Sequence, residues 1–389
     1  MKQLLKEVAI ISAGQGAPQG DDSYCKDGIP FVKAGNLLEL LEGKSIWTIQ
    51  KVSDEIAQKH KLKLYKKGTV LFAKSGMSCL KGYVYVLPCD AYVVSHLACI
   101  TPKEDISDYL LFYFNYHKPS KLIKDEAYPS ISLSDIGNLE IDLKKADERA
   151  GIVTILSQTK HIIDERKEQL HQLDELVKAR FVEMFGDPIV NEKGFAKVRL
   201  DSEADIKIGP FGSLLHQGDY IENGHALVNP SHIIGGTIQT DSKLTISNEK
   251  YEDLSAYHLK VGDIVMGRRG EMGRCAVVRE EGLLCGTGSL IIRTKGCLKA
   301  DFIQKIISFP SYKKMIEDKS IGQTMQNLNV PIVSSFEIIK PAREIQDSYY
   351  LFVTQVDRAK VVVQRQIKDL QELFDKKMEE YFGRNDSCD

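Results

Sequence analysis

The sequence predicts an α+β protein with a pseudo-two-fold internal repeat, in which two strand-rich mixed α/β domains are separated by two long antiparallel helices. Two amphipathic stretches, Asp147–Gly186 and Glu344–Gly383, superpose without gaps at an offset of 197. A glycine-bearing strand pattern also recurs, Tyr65–Gly76 against Leu259–Gly270, at an offset of 194. Repeats of this kind are read before any local element, because each repeat is one structural unit. The expected boundaries are a first domain over 1–145, a helix over 146–186, a second domain over 187–342, a helix over 343–383 and a flexible tail over 384–389.

No secretory leader is expected, because the initial apolar stretch is short and interrupted by Glu7. No window approaches the run of about 18 apolar residues that spans a membrane, so a soluble cytoplasmic chain with no membrane partner is expected. Hydrophobic residues at 43% and charged residues at 27% argue for folded domains. Eight cysteines stand singly with no CxxC pair. The ten-residue spacing of Cys79, Cys89 and Cys99 is not that of zinc ligands, so reduced thiols in β-rich cores and no metal are expected.

Within the repeated pattern, Lys67-Gly68-Thr69-Val70-Leu71-Phe72 matches Val261-Gly262-Asp263-Ile264-Val265-Met266. Each copy ends in two residues and a glycine, Lys74-Ser75-Gly76 and Arg268-Arg269-Gly270, before a β-type run, Tyr83–Leu87 or Cys275–Val278. Further on, Ser130-Ile131-Ser132-Leu133 is set opposite Met325-Gln326-Asn327-Leu328, and Leu139-Glu140-Ile141 opposite Phe336-Glu337-Ile338.

The two long stretches read as helices. Leu156, Ile163, Leu170 and Val177 recur every seven residues in the first, and Tyr349, Val356, Val363 and Leu370 in the second. At 1.5 Å per residue each spans about 60 Å, long enough to act as a spacer when the pair packs together. Packing of each helix on its own domain is the alternative. Gly186 and Gly383 are left-handed stops, and Pro188 bars continuation.

Net charge is -2, so basic character must be sought locally. Residues 1–148 hold no arginine, whereas the second half carries Arg268, Arg269, Arg274, Arg279 and Arg293. No GxxxxGK[ST] loop is present. Asn229-Pro230-Ser231-His232 lacks the aromatic that would stack on a flipped base and reads as a turn. Asp142-Leu143-Lys144 and Glu192-Lys193 lack a partner acid for a nuclease metal site and read as surface pairs.

In order along the second half stand Gly209-Pro210-Phe211-Gly212-Ser213, the glycine-arginine run Gly262–Arg274, and Gly322-Gln323-Thr324-Met325-Gln326-Asn327-Leu328. Looser copies stand in the first half: Gly14-Gln15-Gly16-Ala17-Pro18, Gly28–Leu37 and Lys74-Ser75-Gly76. This layout resembles the specificity subunits of type I restriction-modification enzymes.

The resemblance implies that each domain is a target-recognition domain reading one half of a bipartite, asymmetric site in double-stranded DNA. The helices would set the unread gap and dock two methyltransferase (M) subunits. The chain itself would be non-catalytic and bind no cofactor. S-adenosylmethionine, ATP and Mg²⁺ would reside on the methyltransferase and on separate restriction/translocase (R) subunits of an adenine-N6 methyltransferase and endonuclease complex. The alternatives are a separate recognition subunit of a type IIB/IIG-like enzyme and, in another class, a coiled-coil protein adaptor.

The DNA-contact candidates are Lys33, Asn36, Lys74, Ser75, Ser78, Lys81, Ser130 and Ser132 in the first half. In the second they are Ser213, Arg268, Arg269, Arg274, Gln323, Thr324, Gln326 and Asn327. Arginine beside glycine suits close approach to phosphate or a guanine edge, and Gln, Asn and Thr suit adenine edges or the sugar-phosphate chain. A solvated hairpin tip and helix capping are the corresponding structural roles.

Overall fold

The computed structural model describes residues 2–20, 23–271, 273–320 and 328–383, with Lys319 and Ser320 described in backbone only. The chain divides into two compact units, one of residues 1–169 with 363–389 and one of residues 170–362.

In the first unit, strands β1 (Lys2–Leu4), β2 (Ala9–Ala13), β3 (Ile29–Val32), β4 (Lys51–Val52), β5 (Val70–Ala73), β6 (Val84–Val86), β7 (Tyr92–Val93), β8 (Leu97–Pro102) and β9 (Glu140–Asp142) form three sheets. The largest is antiparallel, in the order β2-β8-β5-β6. Its central strand β5 is a continuous apolar run buried at all four positions, because both faces are covered. Helix α1 (Ser107–Tyr116) supplies one cover, and its Phe114 ring lies 5.2 Å from that of Phe72. A smaller sheet places β3 antiparallel to β4 and parallel to β7, while β1 pairs with β9.

Helix α2 (Ala146–Phe185) opens with Asp147 and Glu148 in its first turn, where carboxylates oppose the positive end of the helix dipole. Its Ile152 and Leu156 enter the first unit's core, which also takes Met378 and Phe382 from the chain's last helix. Burying a side chain the size of Phe382 contributes about 2–3 kcal/mol.

The second unit repeats the plan. Strands β10 (Lys197–Arg199), β11 (Ala204–Ile208), β12 (His225–Val228), β13 (Thr245–Ile246), β14 (Ile264–Gly267), β15 (Cys275–Val277), β16 (Leu284–Cys285), β17 (Ser289–Thr294) and β18 (Glu337–Ile339) each correspond to the first-unit strand numbered nine lower. The main sheet runs β11-β17-β14-β15, β12 lies antiparallel to β13 and parallel to β16, and β10 pairs with β18. Helices α3 (Ala300–Ile307) and α4 (Pro310–Ser320) pack Phe302, Ile306, Tyr312 and Ile316 into the core with Phe181 and Phe185 of α2.

Helix α5 (Arg343–Phe382) matches α2 at 40 residues. Within the second unit the two run antiparallel: the Phe181 and Tyr349 rings are 5.6 Å apart, and Asp174 pairs with Lys360 at 2.5 Å. Leu156, Ile163, Val177, Tyr349, Val356 and Val363 are buried, whereas Leu170 and Leu370 are half-buried. Gly186 stops α2 in the left-handed region at φ 69°. Gly383 does not adopt that conformation, although its amide, like that of Gly186, donates to the carbonyl four residues earlier, here Glu379 at 2.7 Å.

Candidate DNA interface

The repeated strand pattern brings the same loops together in both units. Gly68 and Gly262, each left-handed at φ 86° and 91°, precede β5 and β14. After those strands, the Lys74 amide donates to the His96 carbonyl at 2.9 Å, and the Arg268 amide donates to the Gly288 carbonyl at 2.9 Å. The Lys74 carbonyl then accepts from the Ile131 amide at 2.8 Å, and the Arg268 carbonyl from the Leu328 amide at 3.0 Å. Lys74 and Arg268 therefore hold one structural position, at which a strand end is tied to a loop from far along the chain.

These bonds correct one alignment. Ile131, not Leu133, stands opposite Leu328, two residues away from the match expected above. The next positions agree: Ser132 caps the helix Leu133–Gly137 by accepting from the Asp135 amide at 2.9 Å, and Asn329 caps Val330–Ser334 by accepting from the Ile332 amide at 3.0 Å. Leu139 and Phe336 are likewise equivalent, since their carbonyls accept from Leu5 and Leu200. The offset here is that of the long helices, 197, because the length difference between copies falls upstream of the cap.

A third loop repeats on steric grounds. A Cβ on Gly14 would sit 2.2 Å from the Val93 carbonyl oxygen, and one on Gly209 the same distance from that of Gly286. Only glycine fits either place. Each opens a loop, Gln15–Pro18 in the first unit and Pro210–Ser213 in the second, where Ser213 is exposed and Phe211 is 64% exposed.

In the first unit, Ser75 Oγ lies 2.8 Å from His96 Nδ1, and Gly76, left-handed at φ 77°, donates to the Pro129 carbonyl at 3.0 Å. Lys81 and Ser130 are exposed, and Ser78 is half-buried. Lys33 is half-buried, its ammonium 2.6 Å from Gln50 Oε1 and 4.6 Å from the Tyr24 ring centre. Asn36 accepts from the Lys33 amide at 2.9 Å, a turn-forming bond.

In the second unit Arg268 donates through Nε to the Leu328 carbonyl at 3.0 Å, and burial together with neighbouring Arg269 lowers its pKa. Arg269 is exposed and makes no side-chain hydrogen bond or ion pair among the described residues. Arg274 closes the hairpin: its guanidinium donates to Glu271 at 2.7 Å and to the Pro230 carbonyl at 3.1 Å. Lys313 meets the same carboxylate at 2.9 Å, and Lys313 and Arg274 hold it down to about 2. Arg293 forks onto buried Asp263 at 2.7 and 2.6 Å, and Arg279 pairs with Asp301. Gln323, Thr324, Gln326 and Asn327 lie outside the described residues.

Asn229–His232 is a turn beneath the hairpin, with His232 buried and its Nδ1 2.7 Å from the Leu227 carbonyl oxygen. Asp142 pairs with Lys144 at 2.6 Å, and Glu192 accepts from the Asp187 amide. The cysteines of the described residues are free thiols, four of them buried. No helix of the described residues is long and apolar enough to cross a membrane.

Sequence patterns did not single out Tyr128 and Met77, 82% and 69% exposed, which flank the bonded Gly76–Pro129 contact. The available signal was an aromatic residue inside a short polar loop, Lys124-Asp125-Glu126-Ala127-Tyr128-Pro129-Ser130.

Two strand-rich units that present equivalent loops carrying different side chains, each completed by a stretch of both long helices, define a duplicated fold. Residues 2–174 match the family model of the type I restriction modification DNA specificity domain. A curated relative, the type I restriction enzyme MjaIX specificity subunit of Methanocaldococcus jannaschii, is 27% identical over 138 residues, which span 34% of this chain and 31% of that protein. The match thus covers less than a third of that relative's length. The fold is similar to that of the type I restriction-modification S subunit from M. genitalium (TM-score 0.56, 13% identity, 97% of this chain and 95% of that one). It is also similar to a chain solved in work on complex assembly and conformational transition of the type I R-M system (TM-score 0.62, 18% identity, 99% and 98% covered).

Proposed function

We propose that the chain is the DNA-reading, non-catalytic subunit of a type I restriction-modification complex, each unit reading one half of a bipartite, asymmetric site in double-stranded DNA. The observation that carries this is the shared position of Lys74 and Arg268, where identical backbone bonds present different side chains. Equal scaffolds with unequal chemistry suit two dissimilar half-sites, since side chains at base edges carry the sequence information and backbone contacts set register.

Contacts are assigned to Lys74, Ser75, Ser78, Lys81 and Ser130 in the first unit and to Ser213, Arg268, Arg269 and the Gln323–Asn327 segment in the second. Ser132, Asn36 and Arg274 serve by shaping the loops. The paired helices set the gap and dock two methyltransferase subunits, which hold S-adenosylmethionine. Motor and nuclease subunits hold ATP and Mg²⁺. Methylome sequencing of cells expressing the chain with its methyltransferase partner tests the reading. A bipartite methylated motif, relaxed in one half by Lys74→Ala and in the other by Arg268→Ala with Arg269→Ala, is expected. A continuous motif, or equal loss of both halves in each variant, overturns it.

A further inference from the structure

A cavity of about 490 Å³ lies within the second unit, between α2, α3, α4 and the start of α5. Its apolar wall is formed by Val177, Phe181, Phe309 and Tyr349, and its volume falls in the range of small-molecule sites. Lys178, Arg274, Lys305 and Lys313 also line it, against the single carboxylate of Glu271. Three of these cations are already paired: Lys178 with Glu175, and Arg274 and Lys313 with Glu271.

Two donors in the wall have no protein acceptor among the described residues. Lys305 makes no ion pair or hydrogen bond among the described residues, and desolvation together with nearby Lys360 lowers its pKa. The Tyr349 hydroxyl is buried with no partner among the described residues, although buried tyrosine hydroxyls are ordinarily bonded. Leaving the buried Tyr349 hydroxyl without an acceptor is unfavourable. A ligand that brings an acceptor relieves that cost.

The repeat supplies an internal comparison. A cavity of about 490 Å³ occupies the corresponding place in the first unit, where Phe374, Asp375, Met378 and Glu379 stand for Val177, Lys178, Phe181 and Val182. Its charged lining is Asp164, Asp375 and Glu379 with Lys160 and Lys167. Aromatic side chains line both hollows, so these are a product of the architecture, whereas an excess of cations over carboxylates marks the second unit's cavity and not the first's.

We propose that the second-unit cavity binds an aromatic anion, with the ring against Phe181, Phe309 and Tyr349 and the charge on Lys305. The chemistry is shared by nucleoside monophosphates and aromatic carboxylates. This binding is separate from DNA reading and does not depend on it.

The test is a fluorescence titration of the full chain with 8-anilinonaphthalene-1-sulfonate, with adenosine monophosphate and benzoate as competitors. One saturable site is expected, displaced by whichever competitor class matches the natural ligand. Lys305→Glu, at an exposed position, should weaken it about tenfold or more, as loss of a charge-assisted contact does. Tyr349→Phe should weaken it less and raise the melting temperature of the ligand-free chain. Asp375→Ala, in the first unit's cavity, should leave it unchanged. No saturable binding, displacement by neither competitor, or equal affinity in Lys305→Glu overturns the proposal, and none of these bears on the half-site assay above.

Discussion

The Nε of Arg268 donates to the Leu328 carbonyl while the Leu328 amide donates back to the Arg268 carbonyl, both at 3.0 Å. The arginine is therefore part of the scaffold as well as of the proposed interface, whereas exposed Arg269 belongs to the proposed interface alone. Arg268→Ala should cost about 1 kcal/mol of stability and weaken one half-site. Arg269→Ala should leave the melting temperature unchanged and reduce the salt dependence of DNA binding by about one phosphate contact. Thermal denaturation and binding titrations across salt concentrations of the assembled complex separate the two, and a matching stability loss in both variants would count against the distinction.

Ser132 and Asn329 are equivalent caps on short helices that follow the paired loops. Replacing either with alanine should destabilise its own unit by about 1 kcal/mol, and glycine should cost only a few tenths. Hydrogen exchange in 133–137 and 330–334 reads this out, with protection falling in the mutated unit only.

Glu271 has a depressed pKa in the folded chain, moved from 4.5 to about 2 by Lys313 and Arg274. A depressed carboxylate stabilises the fold above its unfolded value, and that contribution is lost as the pH falls from about 4.5 towards 2. Its side chain is 49% exposed, so solvent screening keeps the effect small. Glu271→Gln should lower stability at neutral pH and flatten the acid limb. A variant whose melting temperature falls as steeply between those pH values as the parent's would refute the assignment.

Phe382 and Phe185 end the two long helices as buried core residues, one in each unit. Truncation of either to alanine should cost about 3–5 kcal/mol. Limited proteolysis should then cut within residues 1–169 for Phe382→Ala and within 187–342 for Phe185→Ala.

Inserting one heptad at equivalent places, within 164–173 and 361–370, keeps the apolar stripe in register and adds about 10 Å to each helix. On the proposed spacer role, the methylated motif should gain about three base pairs of gap with both half-sites unchanged. An unchanged gap sinks that role.

The plan of the fold was legible because the repeat is written in residues whose physics is local. Gly68 with Gly262 and Gly76 with Gly270 align by sequence and adopt the same left-handed conformation. Heptad positions likewise locate both long helices. The loops after β5 and β14 were less legible. Arg274 is a candidate contact by composition, yet Glu271 three residues earlier and the distant Pro230 carbonyl engage it in the fold. The two-residue slip at Ile131 and Leu328 has the same origin: a backbone bond between segments about 60 residues apart leaves no periodic trace in either one.

The first unit's core contains Met378 and Phe382, whereas the second unit is one uninterrupted segment, residues 170–362. During synthesis, residues 2–142 can form all of the first unit's strands and still lack the aromatic side chain against which Tyr109 and Tyr113 pack. The segment translated second therefore completes its core first. On this division of residues, the unit translated first should remain partly open until Met378 and Phe382 have left the ribosome, against the general N-terminal-first order. A premature stop near residue 370 should accordingly leave the second unit intact and expose the first to proteases, reversing the usual polarity of nonsense damage.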